Sequence, residues 1–149
     1  QWTWLEEELQ KPADLRLLIS SIQVIADGHG WEAWRALPLE RQKLYTMLRE
    51  SGANNTIIVS GDRHSGAFYE RSDVTGSRLL EMTASSLNAP VSVWRKRAGD
   101  TRVEPGPYRD GAPQFEVNYG MMDIDWDARD VNLRLVSPGL ETKTQSFKF

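Results

Sequence analysis

Hydrophobic and polar positions near the first residue follow a helical pattern. Trp2, Leu5 and Leu9 fall on one face of a helix, with three glutamates between Leu5 and Leu9, and Pro12 ends the pattern. We therefore predict a short amphipathic helix whose glutamates lie on its solvated face.

Two almost continuously apolar segments follow, residues 15–25 (LRLLISSIQVI) and 56–60 (TIIVS). Such runs are typical of strands that are buried on both faces of a parallel sheet. Between them, Pro38 stands where a second helix is expected to begin, and Gly52 is suited to its C-terminal cap. Strand, helix and strand at these lengths predict a βαβ unit with parallel strands and a right-handed crossover. The inner stripe of the second helix is predicted at Leu37, Leu44, Tyr45 and Leu48.

Beyond residue 64 the pattern changes to short segments that predict strands, and several of them alternate apolar and polar residues, as strands with one wet face do. These segments are residues 66–71, 79–83, 121–126, 131–136 and 142–149. Residues 127–130 (DARD) predict a hairpin turn, and residues 96–116, rich in proline, glycine and charge, predict a long surface loop. We predict one domain of the α/β class, an α+β sandwich. Residues 1–60 would contain the βαβ unit, and residues 61–149 would form a mostly β tail.

Composition excludes several classes of function. At 149 residues, with 40% hydrophobic and 26% charged residues, the chain resembles a globular domain with a sizeable core. A net charge of −3 argues against a nucleic-acid partner, and the absence of cysteine excludes disulfides and a thiolate metal site. No apolar run is long enough to span a bilayer. We expect the six tryptophans mainly to fill the core.

The first residues also give an expectation about the extent of the chain. Gln1 is not an initiating methionine, and no basic segment followed by an apolar one indicates a signal peptide. Because the helical pattern starts at once, we expect residues 1–149 to be a piece of a longer or matured chain.

Residues 57–64 (IIVSGDRH) concentrate the residue types that carry chemistry. The segment predicts a buried strand followed by a tight turn, and functional groups of α/β sheets collect beyond the carboxyl ends of strands. Asp62 and His64 are both ligand types for Fe, Mn, Ca or Zn, and Gly61 lets the backbone turn sharply. In the other interpretation Asp62 caps a backbone N–H group, and His64 is a structural histidine.

Two further residues are candidates for the same edge of the sheet. Arg63 has a fork of donors suited to phosphate or carboxylate, although a surface ion pair would explain it as well. His29 lies beside Asp27 in the glycine-rich loop after the first apolar segment. It is a candidate ligand, proton donor or substrate contact, or a loop histidine without a role. No nucleophile elbow, P-loop or dinucleotide-binding motif is present, and metal activation of water needs no protein nucleophile.

Several short motifs occur in one order along the chain. They are Gln1-x-x-Trp4-Leu5-Glu6, Trp31-x-x-Trp34-x-x-x-Pro38-x-Glu40-Arg41, Ser60-Gly61-Asp62-Arg63-His64, Glu81-Met82-Thr83-Ala84-Ser85-Ser86 and Asn118-Tyr119-Gly120-x-x-x-Ile124-Asp125-Trp126. Together they resemble the C-terminal half of a PhoD-like (alkaline phosphatase D) metallophosphoesterase. The resemblance covers essentially the whole chain.

The resemblance implies a calcineurin-like fold, with two mixed sheets flanked by helices. It implies a phosphoric ester hydrolase that cleaves small phosphate mono- or diesters with a metal-activated water. By likeness to the last motif of the wider superfamily, Gly-His-x-His, Asp62 and His64 would be the late metal ligands. Arg63 and His29 are the candidate catalytic neighbours from their place at the same edge of the sheet. Aspartate in place of the first histidine favours Fe(III), Ca or Mn over Zn in a two-metal site. Family members are commonly exported, which implies a periplasmic or secreted location.

The early metal motifs of this family, Asp-x-His or its variant, Gly-Asp-x-x-Asp and Gly-Asn-His-Asp, would precede residue 1. The chain could supply only two ligands, so we expect it to be inactive without its partner, the missing N-terminal half of the same domain. Two other hypotheses are a non-catalytic, tryptophan-rich module that binds a carbohydrate or protein, and a degenerate family member whose fold persists without a working site.

Overall fold

A computed structural model describes residues 1–149 and contains three α-helices and eight strands. The helices are α1 (Trp2–Gln10), α2 (Pro38–Glu50) and α3 (Val91–Ala98), with a short 3-10 helix at Trp34–Ala36. The strands are β1 (Arg16–Ser20), β2 (Thr56–Ser60), β3 (Gly66–Arg71), β4 (Leu79–Ala84), β5 (Arg109–Gln114), β6 (Tyr119–Asp125), β7 (Asp130–Val136) and β8 (Lys143–Lys148). No helix is both long and apolar enough to cross a membrane.

The predicted βαβ unit is confirmed. β1 and β2 pair in parallel, with Arg16 opposite Thr56 and Ser20 opposite Ser60, and α2 lies between them in the chain. β4 continues the parallel arrangement on the other side of β2, whereas β3 and β5 are antiparallel additions. The order of this mixed sheet is β1-β2-β4-β3-β5. The carboxyl ends of β1, β2 and β4 therefore lie at one edge.

The second sheet, in the order β6-β7-β8, is antiparallel throughout and packs against the mixed sheet. Side chains that alternate along β2 build two separate cores. Ile58 belongs to the core shared with Leu48 of α2, and Ile57 belongs to the core shared with Leu135 of β7. Gly66 permits the close approach of the sheets, because a Cβ there would lie 2.6 Å from Leu135 Cδ1. The fold is thus a layered α+β structure, as predicted.

The first apolar segment is only partly a strand. β1 ends at Ser20, whereas Val24 and Ile25 are fully buried in the loop that follows. Their backbone N–H groups donate to the Glu81 carboxylate at 2.9 and 2.6 Å. A side chain therefore takes the place of a neighbouring strand as hydrogen-bond partner. The apolar run indicated burial correctly at Val24 and Ile25, although it did not reveal this hydrogen-bond partner. The predicted burial is wrong for Leu17 and Ile19, which are 46% and 73% exposed because β1 is an edge strand.

The predicted loop 96–116 is wrong in its extent. α3 continues to Ala98 and β5 begins at Arg109, which leaves residues 99–108 as the connection. β5 was not predicted because it contains Pro113, and proline argues against a strand. Proline is tolerated there because β5 is an edge strand. α3 was not predicted, since only Val91 of its residues is buried and no apolar stripe marks it.

The expected burial of the tryptophans is also wrong, because aliphatic, tyrosine and phenylalanine side chains fill both cores. Trp2 packs edge-on against Trp34, with 6.4 Å between ring centroids, and neither ring is fully buried. The four others are about half exposed or more, namely Trp4, Trp31, Trp94 and Trp126. Leu37, predicted in the inner stripe of α2, is half exposed because it precedes Pro38 and lies outside the helix.

Candidate active site at the carboxyl ends of the parallel strands

Three loops meet beyond the carboxyl ends of β1, β2 and β4. They are residues 21–33, 61–65 and 85–90. Gly61 lies where they converge, because a Cβ there would be 3.6 Å from the Ser21 carbonyl oxygen and 3.8 Å from Ser85 Cβ. The Ser85 hydroxyl also donates to the Ser65 carbonyl at 3.3 Å. The edge of the sheet singled out from the sequence is therefore one continuous surface of contacting loops.

The turn at residues 61–64 (GDRH) has an unusual backbone conformation. Asp62 and His64 have φ angles of 64° and 53°, and only one other non-glycine residue, Arg129, has a positive φ. The left-handed region costs an L-residue about 1 kcal/mol or more, and such strain clusters at functional sites. Asp62 is exposed, His64 is half-buried, and Arg63 between them is buried. The two predicted metal ligands thus carry the local strain.

His64 is held in a single tautomer that leaves one ring nitrogen free. Its Nδ1 lies 2.6 Å from the Ala89 carbonyl oxygen. A carbonyl can only accept, so Nδ1 carries the proton and Nε2 keeps its lone pair. The ring packs on Trp94 of α3, with 4.6 Å between centroids, and the His64 carbonyl accepts from the Val91 N–H group at 2.8 Å. A backbone carbonyl that orients the imidazole in this way is the usual support of a metal-ligating histidine.

The donor atoms of the turn fit part of a metal site. Asp62 offers carboxylate oxygens and His64 offers Nε2, a pair suited to Fe, Mn, Ca or Zn. No cluster of three or more histidine, aspartate, glutamate or cysteine side chains in the chain could hold a metal ion. The structure therefore brings no third side chain of these types to the pair formed by Asp62 and His64.

Arg63 and His29 line a separate cavity behind this turn. Arg63 pairs with Glu104 where both side chains are less than a tenth exposed, so the ion pair is buried and not on the surface. His29 is 3% exposed, and its Nδ1 accepts from the Trp31 N–H group at 3.2 Å. Burial lowers the pKa of His29 to about 4, and the charges of Arg63 and Arg35 act in the same direction. His29 is therefore neutral at pH 7, with its proton on Nε2.

Asp27, which the sequence placed beside His29, is occupied within its own loop. Its carboxylate accepts from the Gly28 N–H group at 2.9 Å and pairs with Arg41 at 3.2 Å. It serves as a loop cap, and the structure does not bring it together with Asp62 and His64 as a ligand cluster.

Glu81 is a buried residue of this edge that sequence reasoning missed. Its carboxylate accepts from the Ser60 hydroxyl at 2.6 Å and from the Val24 and Ile25 N–H groups. Burial raises the pKa of this side chain. Glu81 joins the end of β2 to the loop after β1, and so it positions both sides of the site. The signal was a lone glutamate inside the apolar strand 79–84 (LLEMTA).

We expect the burial of neutral His29 to make folding sensitive to acid. The unfolded chain takes up this proton near the ordinary pKa of 6.5, and the folded chain takes it up only near 4. The stabilisation is therefore complete above about pH 6.5 and is lost as the pH falls to about 4. At about 1.4 kcal/mol per pKa unit, roughly 3 kcal/mol of the free energy of unfolding should disappear.

Urea unfolding between pH 7 and 4 measures this loss of stability, which should be smaller in the His29→Gln variant. An equal loss in both proteins would contradict the assignment.

The fold and the position of its polar residues define an α/β protein with a candidate functional site beyond the carboxyl ends of parallel strands. The sequence model of the family described as PhoD-like phosphatase matches residues 1–135, so the chain belongs to the PhoD-like phosphatase family. At this coarse level it is a member of a phosphoester hydrolase family.

A solved structure described as "Structure of PhoD" has a similar fold, with a TM-score of 0.67 and 16% sequence identity. The similarity covers 98% of this chain and 32% of that one, so the chain spans about a third of the length of the solved protein. No curated protein matches the chain significantly in sequence. At 16% identity the structural likeness establishes the fold alone, and the family match carries the phosphatase assignment.

Proposed function

We propose that residues 1–149 form the C-terminal part of a metal-dependent phosphoesterase domain in which Asp62 and His64 are metal ligands. The observation that carries this proposal is the tautomer of His64, since Ala89 fixes the proton on Nδ1 and leaves Nε2 free. The strained turn holds the Asp62 carboxylate two residues away. The substrates would be phosphate mono- or diesters.

Asp62 and His64 have separate tasks in this proposal. Bound metal would supply an activated water and stabilise charge on the phosphoryl oxygens. Asp62 binds through a carboxylate oxygen, whose hard character favours Fe(III), Ca or Mn over Zn. His64 binds through Nε2, the Ala89 carbonyl orients the ring, and Trp94 covers one face of the ring. Two ligands cannot complete a two-metal centre, so the others must come from outside residues 1–149.

The free edge of β1 supports a partner segment within the same domain. β1 has a neighbouring strand only on the β2 side. Leu17 and Ile19 of β1 are 46% and 73% exposed, although the sheet to which they belong has a hydrophobic core on each of its faces. A groove of about 830 Å³ follows this edge and is also lined by Trp4 and Leu37. We expect segments that the longer PhoD structure contains, and residues 1–149 lack, to cover this face and supply the missing ligands.

Two exposed tryptophans bear on the hypothesis of a binding module. Trp94 packs on His64, and the Trp31 ring lies 5.4 Å from the Arg63 guanidinium carbon. Both therefore border the residues around the proposed metal ligands and do not form a separate aromatic platform. A module without catalysis would keep its ligand affinity after removal of metal, and this separates the two hypotheses.

The proposal is tested with the full-length product of the gene and p-nitrophenyl phosphate or bis(p-nitrophenyl) phosphate as substrate. Chelation should lower hydrolysis by about a hundredfold or more, and Fe, Ca, Mn or Zn should restore it, because a catalytic metal contributes several kcal/mol to the transition state. Residues 1–149 alone should show no turnover above the uncatalysed rate. Hydrolysis that resists chelation, or equal turnover by residues 1–149, would refute the proposal.

A further inference from the structure

The cavity behind the turn contains two buried donors without acceptors. This His29 cavity, of about 350 Å³, lies between the loop that carries His29, the Arg63 side chain and the 99–108 connection. His29 Nε2 and Arg63 Nε are both buried and have no hydrogen-bond partner. Both carry protons, since His29 accepts through Nδ1 and an arginine is always charged. A buried donor without a partner costs about 1–3 kcal/mol, so an acceptor that reaches these two N–H groups would relieve that cost.

The charges around the cavity favour an anionic acceptor. Glu104 pairs with Arg63 and lies 3.6 Å from an Arg109 nitrogen. Asp100 pairs with Arg102 at 2.9 Å and with Arg95 at 4.0 Å. Three guanidinium groups, those of Arg63, Arg95 and the mostly exposed Arg102, line the cavity with two carboxylates, which leaves an excess of positive charge. Such an excess in a partly enclosed, low-dielectric site attracts anions.

The walls of the cavity leave room for a small group. No atom lies within 4 Å of where a Cβ of Gly30 would be, so the wall is open at this residue. Gly28, with φ of 83°, lets Pro105 approach so closely that a Cβ would lie 3.1 Å from Pro105 Cβ. Arg63 stands between Asp62 and His64 in the chain, so the cavity adjoins the turn. Its volume lies at the lower end of the range for small-molecule sites.

We propose that the His29 cavity binds an oxyanion, a carboxylate or a phosphate, that the substrate carries as a second acidic group. His29 Nε2–H and Arg63 Nε–H donate to its oxygens, and the surplus guanidinium charge balances it. The role in substrate selection rests on the proposed function, whereas oxyanion binding by itself requires neither metal nor turnover. The preferred substrates would then be phosphate esters with an acidic group near the ester, such as sugar-acid phosphates or diphosphates.

Binding is tested on metal-depleted, full-length protein by calorimetric titration with inorganic phosphate and, separately, with acetate. We expect saturable binding of at least one of the two, and the stronger one identifies the acidic group. His29→Phe should weaken binding about tenfold or more, because it removes the donor but keeps the ring volume. His29→Gln, which retains an N–H donor, should recover part of the affinity. Circular dichroism verifies that both variants are folded.

Selection is tested by comparing kcat/KM for 3-phosphoglycerate and glycerol 3-phosphate, which differ by a carboxylate in place of an alcohol. We expect the wild type to prefer 3-phosphoglycerate by about tenfold through KM, and His29→Phe to lose that preference. Absence of phosphate and acetate binding, or equal affinity in His29→Phe, would overturn the inference whatever the activity. Oxyanion binding by a protein that hydrolyses no phosphate ester would support the cavity assignment and refute the proposed function instead.

Discussion

Asp62→Asn and His64→Asn, each introduced into the full-length protein, are expected to lower kcat/KM for p-nitrophenyl phosphate by about a thousandfold. Loss of one ligand displaces or removes a metal ion that contributes several kcal/mol to the transition state. Asparagine is the appropriate substitution, because it tolerates the positive φ of both positions better than alanine does. At position 64 its amide can still donate toward the Ala89 carbonyl, but it offers no imidazole nitrogen.

Asp27→Asn is the matched control for these two variants. Asp27 lies in a loop at the same edge of the sheet, but its carboxylate is bound to the Gly28 N–H group and to Arg41. We expect this variant to stay close to wild-type activity. Activity of His64→Asn within a factor of about ten of the wild type would show that His64 has a structural role only.

Glu81→Leu is expected to lower the free energy of unfolding by roughly 3 kcal/mol or more. The substitution leaves the Val24 and Ile25 N–H groups and the Ser60 hydroxyl without their buried acceptor. Each such loss costs about 1–3 kcal/mol. Glu81→Gln keeps one acceptor oxygen and should give a smaller loss. Because Glu81 joins β2 to the loop that carries His29, we also expect reduced hydrolysis.

Urea unfolding at pH 7 measures this effect, with Glu70→Gln as the control. Glu70 is also a strand glutamate, but it is exposed and pairs with Arg78 on the surface. Its substitution should cost less than about 1 kcal/mol, as exposed ion pairs do. Similar losses in Glu81→Leu and Glu70→Gln would contradict the positioning role of Glu81.

The local pattern of the sequence determined most of the fold. Residues 56–60 and 66–71 form strands with the predicted bounds, because a short and mainly apolar run is a clear signal for a buried strand. α3 escaped prediction because only Val91 of its residues is buried, so no apolar stripe marks it. Residues 21–25 were assigned to a strand because burial alone does not reveal that Glu81, more than fifty residues away, provides the hydrogen bonds.

The location of the site could be predicted from the sequence, but which of its side chains lie together could not. The loops after β1 and β2 meet because parallel strands bring their carboxyl ends to one edge. The sequence alone could not show that the turn separates its side chains. Arg63 is buried against Glu104 beside His29, whereas Asp62 stays exposed. The positive φ angles of Asp62 and His64 accompany this separation, and the residue types alone do not specify them.

Metal content per chain is the most direct test of the central claim. Elemental analysis of the purified full-length protein should find at least one tightly bound ion of Fe, Ca, Mn or Zn. Asp62→Asn and His64→Asn should each contain less of it, while Asp27→Asn should match the wild type. A wild-type protein that hydrolyses phosphate esters without bound metal, or a His64→Asn variant with unchanged metal content, would contradict the assignment of Asp62 and His64.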